Sequence, residues 1–146
     1  MTCYELVKAW KKKYRSTVAW RLFQNAKVID DHINPDEKIL YAFCGQKNDS
    51  SFDFFQTAVV AITDKRVLIG QKRVLFGYAL NSITPDLYND MQVYKTILWG
   101  KLVIDTLKEQ ITLSNIDVDA LIELETVISQ FMMEEKKKYG TKTKKN

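Results

Sequence analysis

The chain has little of what metal and catalytic chemistry needs. Its 146 residues include one histidine, His32, and two cysteines, Cys3 and Cys44. A metal site needs several His, Cys or carboxylate groups converging, and no second histidine stands at helical or hairpin spacing from the first. His32 follows Asp30 and Asp31 near an expected helix C-terminus, which suits a capping or surface imidazole. A nucleophile pair of Cys44 and His32 has no motif around either residue, and Cys44 ends an apolar strand pattern, the setting of an inert buried thiol. Two cysteines in different elements make no disulfide framework, so a reducing cytoplasm is expected. The five glycines are scattered singly, which leaves neither a P-loop nor a dinucleotide-binding fingerprint. No catalytic residue, metal, cofactor or small-molecule substrate is therefore proposed from the sequence. No apolar run approaches the ~20 residues of a membrane-spanning helix. Lys11, Lys12, Lys13 and Arg15 also interrupt any apolar export segment at the N-terminus.

What is present is material for one core: 46% of the residues are hydrophobic, in a chain too short for two comfortable domains. The net charge of +4 is uneven. Residues 1–33 hold seven basic and three acidic side chains, residues 134–146 hold six and two, and residues 34–133 therefore carry a net −4. The high pI belongs to the ends, so it does not by itself mark a nucleic-acid binder.

From Val7 the apolar residues Trp10, Tyr14, Val18, Leu22, Ala26, Ile29 and Ile33 recur at helical steps, predicting helix over residues 3–32, long and broken at most once. Asn34-Pro35-Asp36 ends it. Strand periods follow over Lys38–Cys44, Phe54–Thr63, Arg66–Gly70, Val74–Leu80, Met91–Leu98, Leu102–Leu107 and Gln110–Leu113, with a tight turn at Thr63-Asp64-Lys65-Arg66. Gly77 and Gly100 fall where bulges or bends are usual. Asn115 and Asp117 can cap a last helix, whose face is Ala120, Leu121, Leu124, Val127, Ile128, Phe131 and Met132. Leu124, Ile128 and Phe131 are expected to be buried, and Gly140 is expected to stop the helix.

Seven strands and a closing helix follow the order of a pleckstrin-homology barrel. The segment Ala58-Val59-Val60-Ala61-Ile62-Thr63-Asp64-Lys65-Arg66-Val67-Leu68-Ile69 resembles the "apolar strand, Thr-Asp-x-Arg, apolar strand" hairpin of bacterial PH-like families, particularly the YokE-like group. Glu37-Lys38-Ile39-Leu40, Leu98-Trp99-Gly100-Lys101-Leu102-Val103-Ile104 and the closing helix stand in the expected order. The resemblance covers roughly residues 36–133 and implies a mainly β fold with flanking helices. The expected organisation is a helical extension at 1–34, a PH-like barrel with its helix at 35–139 and a disordered basic tail at 140–146. The resemblance implies a scaffold and little about a ligand.

Partner classes separate on residue chemistry. Phosphoinositide-binding PH domains use several Lys and Arg after the first strand, whereas Gln46-Lys47-Asn48-Asp49-Ser50-Ser51-Phe52-Asp53 offers one lysine against two aspartates, which argues against that mode. On the first helix Lys11 and Arg21 fall in or beside the apolar stripe, while Trp20 and Phe23 fall off it. This poor segregation favours packing on protein. The expected function is a non-catalytic interaction module that binds a protein partner or self-associates, with Trp20 and Phe23 as contact surface. The alternative is a peripheral binder of anionic membrane lipid or nucleic acid, through Lys11, Lys12, Lys13, Arg15 and the lysine-rich tail.

Overall fold

The structure is a computed structural model that describes residues 1–48 and 55–144, without the side chains of 136 and 138–144. The N-terminal helical period resolves into two helices, α1 (Cys3–Lys13) and α2 (Leu22–Asp30), in place of one long helix. The residues between them find better partners than a helix would offer. The Val18 N–H donates to the Asn115 carbonyl at 3.0 Å, the Asp117 N–H donates to Thr17 Oγ1 at 2.8 Å, and Trp99 Nε1 donates to the Ser16 carbonyl at 2.8 Å. Arg21 closes the break in the left-handed region, at φ 54°. The two helices form a pair, with the Cys3 N–H at the start of α1 donating to the Asp30 carboxylate at 2.8 Å.

Seven antiparallel strands follow: β1 (Ile39–Gln46), β2 (Thr57–Thr63), β3 (Val67–Lys72), β4 (Tyr78–Ile83), β5 (Tyr88–Lys95), β6 (Gly100–Thr106) and β7 (Gln110–Ile116). Their order in the sheet is β4-β3-β2-β1-β7-β6-β5, so β4 and β5 are left as edges and the barrel is open. One register pair, Gln46 with Ser114, joins β1 to β7. The expected strands are all present, with two displaced in register. Val74–Gly77 belongs to the β3–β4 turn and Ile97–Leu98 to the β5–β6 turn, so apolar residues expected in strands stand at hairpin tips. The second strand begins at Thr57; Phe54, its expected start, lies outside the described residues.

β2 is buried along its whole length. Successive strand residues point to opposite faces, so both faces of β2 are covered. α2 lies over β2 and β3, and α1 over β1, where Trp10 packs against Phe43 at 5.9 Å between ring centroids. The two N-terminal helices thus dock on their own sheet and share its core. Gly70 of β3 lies under α2, where a Cβ would stand 2.9 Å from Ile29.

Asp117 caps a single 3-10 turn (Val118–Ala120) that leads into α3 (Leu121–Lys144). The cap is Asp117 and not Asn115, which lies within β7, one residue before its end, at φ 56°. Leu121, Leu124, Ile128 and Met132 are buried, whereas Val127 and Phe131 are half-buried at the margin of the face. α3 does not stop at Gly140 and continues to Lys144. A glycine stop is stabilised when a following apolar side chain folds back on the helix, and Thr141-Lys142-Thr143-Lys144 supplies none. Lys145 and Asn146, the end of the expected tail, lie outside the described residues.

Candidate docking surface

The most specific stretch of the sequence, the Thr63–Arg66 hairpin, serves the fold. The Thr63 N–H donates to the Arg66 carbonyl at 2.9 Å and closes the turn. Arg66 then grips the buried Glu37 carboxylate in bidentate fashion, through Nε and Nη2, each at 2.9 Å. Thr63 Oγ1 donates to the same carboxylate at 2.6 Å. These bonds, the guanidinium first, hold Glu37 down at about 2. The motif anchors the β2–β3 turn to the start of β1.

A surface of different character lies at the other end of the same strands. Two buried amides build it. Gln46 Nε2 donates to the Val18 carbonyl at 3.1 Å and to Thr57 Oγ1 at 2.6 Å, and the Trp20 N–H donates to that same Thr57 Oγ1 at 2.9 Å. Asn25 Nδ2 donates to the Trp20 carbonyl at 3.0 Å while its Oδ1 accepts from the Lys72 N–H at 2.7 Å. The helix break and the end of β3 are thereby fixed side by side. The β3–β4 turn projects from this base, closed by the Arg73 N–H on the Gly77 carbonyl at 3.1 Å, with Gly77 at φ +74°. At its apex Val74, Leu75 and Phe76 are 65%, 83% and 85% exposed.

Aromatic side chains continue the surface. Trp20 meets Phe55 edge-on at 5.2 Å, and Phe23 meets Tyr4 at 5.1 Å. A cleft of about 640 Å³ separates Phe55 from the apex, and a groove of about 310 Å³ runs between Phe23 on α2 and Tyr78 on β4; Lys72 borders both. Cations ring the crest: Lys72, Arg73, Arg21 over the Trp20 ring at 5.5 Å, and Lys27 paired with Asp31 at 3.0 Å. Deeper in the open end Lys47 Nζ donates to Asn81 Oδ1 at 2.6 Å, and burial pushes its pKa down.

The structure brings Trp20 and Phe23 onto this crest, both partly exposed, and adds the Val74-Leu75-Phe76 apex that sequence reasoning placed in a strand. The available signal was three consecutive apolar residues between Arg73 and Gly77, a run that fails to alternate. The four basic candidates lie elsewhere, on and just after α1. Lys11 Nζ donates to the Arg15 carbonyl at 2.8 Å, Arg15 Nε donates to the Lys12 carbonyl at 3.4 Å, and Lys13 pairs with Glu123 of α3 at 2.9 Å. Lys12 is exposed. Of the loop weighed for inositol phosphates, residues 49–53 lie outside the described residues.

His32 bonds the Val28 carbonyl through Nδ1 at 2.6 Å and the Tyr78 hydroxyl through Nε2 at 2.9 Å, at the end of α2. Cys3 and Cys44 are buried free thiols, and burial pushes Cys44 up to about 12. Among the described residues no group of three or more His, Cys, Asp or Glu side chains is placed to hold a metal ion, and no helix is long and apolar enough to cross a membrane.

No curated protein matches this chain. Among solved structures, a pleckstrin homology domain from Shewanella amazonensis SB2B is 12% identical, with 77% of this chain and 89% of that chain covered and a TM-score of 0.49. A DUF1696 family protein with a pleckstrin-homology domain from Shewanella loihica PV-4 is also 12% identical, with 78% and 99% covered and a TM-score of 0.48. The family model described as Bacterial PH domain matches residues 33–130, which takes in all seven strands and the first turns of α3. That match reaches the bacterial PH domain as a whole and goes no further towards the YokE-like group. With the motif residues, the strand order and the closing helix all in place, the chain belongs to the bacterial PH domain family.

Proposed function

We propose that the protein is a non-catalytic docking module whose working face is the crest of Trp20, Phe23, Phe55 and the Val74-Leu75-Phe76 apex. One observation carries this reading: three adjacent large apolar side chains stand 65% to 85% exposed on a turn that the fold holds in place. Exposed apolar groups in one contiguous patch contribute nothing to folding and mark contact sites. The protein-binding role expected of Trp20 and Phe23 is supported by their place on this crest. The reading does not draw on Lys11, Lys13 and Arg15, each of which also bonds within the chain.

The test uses the two buried cysteines as silent background. Leu75→Cys carrying an environment-sensitive dye should shift to the blue with either the membrane or the soluble fraction of a cell extract. The same dye at Asp86→Cys, an exposed position outside the crest, should not respond. No shift with either fraction overturns the docking reading.

A further inference from the structure

We infer, resting on that docking reading, that the free edge of β4 takes up an extended segment of a partner protein as an added strand. An apolar side chain of the segment fills the groove beside Phe23, and an acidic one meets Lys72.

The direction of the backbone comes first. The bond from the Thr63 N–H to the Arg66 carbonyl closes β2 on β3, and the bond from the Arg73 N–H to the Gly77 carbonyl closes β3 on β4. Neither pairing contains a register shift, so the alternation of an antiparallel ladder carries through both. Val67, Ile69 and Gln71 turn their peptide groups to β4, and Leu68 and Gly70 turn theirs to β2. On β4 the peptide groups of Ala79 and Asn81 therefore face β3. Those of Tyr78, Leu80 and Ser82 face outward, where they have no hydrogen-bond partner among the described residues. The two edges of the sheet also differ in protection. β5 carries Asp90, Lys95 and a register shift between Tyr88 and Asp90, features that discourage pairing. β4 has no charged residue, no proline and no shift.

The side chains beside the edge define what pairs with it. Tyr78, Leu80 and Ser82 share one face of the sheet. It is the face that α2 covers, since the Tyr78 hydroxyl meets His32 Nε2 at 2.9 Å and Ser82 Oγ accepts from Arg66 Nη1 at 3.2 Å, whose Nη2 reaches the His32 carbonyl at 3.4 Å. A strand laid on β4 sends alternate side chains to that same face, into the groove of about 310 Å³ bounded by Phe23, Val28 and Tyr78. Main-chain bonds then supply affinity and the groove supplies specificity. Lys72 at its rim forms no ion pair among the described residues, while Asp31 is engaged by Lys27. This charge calls for an acid next to the apolar residue of the segment. A second copy of the chain is the poorer occupant. A two-fold β4 pairing about Leu80 sets Ser82 opposite Tyr78 and leaves the apolar groove unfilled.

The experiment pans a display library of random linear peptides against the full chain, with the Ser82→Pro chain for counter-selection. Proline there removes an outward N–H and spares the bonds to β3. Enriched peptides should carry apolar residues at alternate positions, with Asp or Glu beside one of them. A synthetic copy of one should bind Ser82→Pro at least ~10-fold more weakly, from the lost main-chain bond and the blocked approach. Lys72→Glu should also weaken it, and Ile97→Ser, at an exposed turn away from the edge, should not. Amide hydrogen exchange of the parent chain gives a reading that stands even if the proline variant does not fold: the peptide should slow the Leu80 and Ser82 N–H groups, whereas those of Ala79 and Asn81 should be slow with or without it. No enriched peptide, or one that leaves Leu80 and Ser82 exchanging as before, overturns the edge inference, and the docking reading then stands or falls on the dye at position 75. Binding that is lost in Leu75→Ser and kept in Ser82→Pro moves the partner to the apex, which overturns the edge inference and upholds the docking reading. Slow exchange at Leu80 and Ser82 in the free chain that speeds up on dilution assigns the edge to a second copy and also overturns it.

Discussion

Replacing Glu37 by glutamine should separate the part of the motif that is electrostatic from the part that is only shape. The Glu37 side chain is fully buried, and its two oxygens accept from Arg66 Nε and Nη2, from Thr63 Oγ1 and, at 3.3 Å, from the Asn34 N–H. Its pKa falls from 4.5 to about 2 on folding. A carboxyl depressed in the folded state contributes stability that is present above its unfolded value and lost as pH falls through the folded one. The gap between 4.5 and about 2 corresponds to roughly 3 kcal/mol at neutral pH. Glu37→Gln should therefore cost about that much at pH 7, and the difference from the parent should close as pH falls from about 4.5 towards about 2. Urea unfolding followed by tryptophan fluorescence at several pH values measures this directly. Arg66→Ala should cost more, on the order of 3 to 5 kcal/mol, because it leaves a carboxylate buried without its cation. Adding Glu37→Gln to it should restore part of the loss. A Glu37→Gln deficit that stays constant with pH, or a double variant weaker than Arg66→Ala, would refute the reasoning.

Three further outcomes follow from packing. Ile128→Ala should lose about 2 to 5 kcal/mol, and Phe131→Ala distinctly less, because Ile128 is fully buried and Phe131 is not; parallel thermal melts would show the order, and a reversed order would move the face of α3. Gly100→Ala places a Cβ 2.6 Å from Leu121 at the start of α3. Overpacking there should cost about 1 to 3 kcal/mol, and an unchanged melting temperature would show that Leu121 yields freely. Cys44 is fully buried with its thiol at about 12, so neither cysteine should react with a thiol reagent at about pH 8 until urea is added; rapid labelling of the native chain would count against the core as described.

The order of elements was legible because period and punctuation agree: helical steps up to Ile33, a proline stop at Pro35, then strand steps. What escaped is non-local. Nothing near Thr17 or Val18 announces that Asp117 and Asn115, about a hundred positions on, will draw them out of a helix. Glu37 and Arg66 were each visible in the family pattern, but their pairing spans twenty-nine positions and belongs to the fold. The crest was half legible. Trp20 and Phe23 stood out against the helical stripe, whereas Val74, Leu75 and Phe76 are good strand formers beside a strand, and only the turn closed at Gly77 turns them outward. Asn25 and Gln46, the buried amides that set the crest, carry no such signal: Asn25 falls inside the expected helix, and Gln46 in the loop after an expected strand that ends at Cys44.

The burial of β2 on both faces also bears on how this domain can be inherited and cut. Its seven residues, Thr-Ala-Val-Val-Ala-Ile-Thr, carry no polar side to show to water, because α2 supplies the missing layer. The unit of homology, residues 33–130, is therefore smaller than the unit that folds. A gene fusion or an expression fragment that starts at the family boundary strips the sheet of its cover and exposes an adhesive strand surface. A relative that has lost the two leading helices must have alternated the residues of this strand, polar with apolar, to remain in solution.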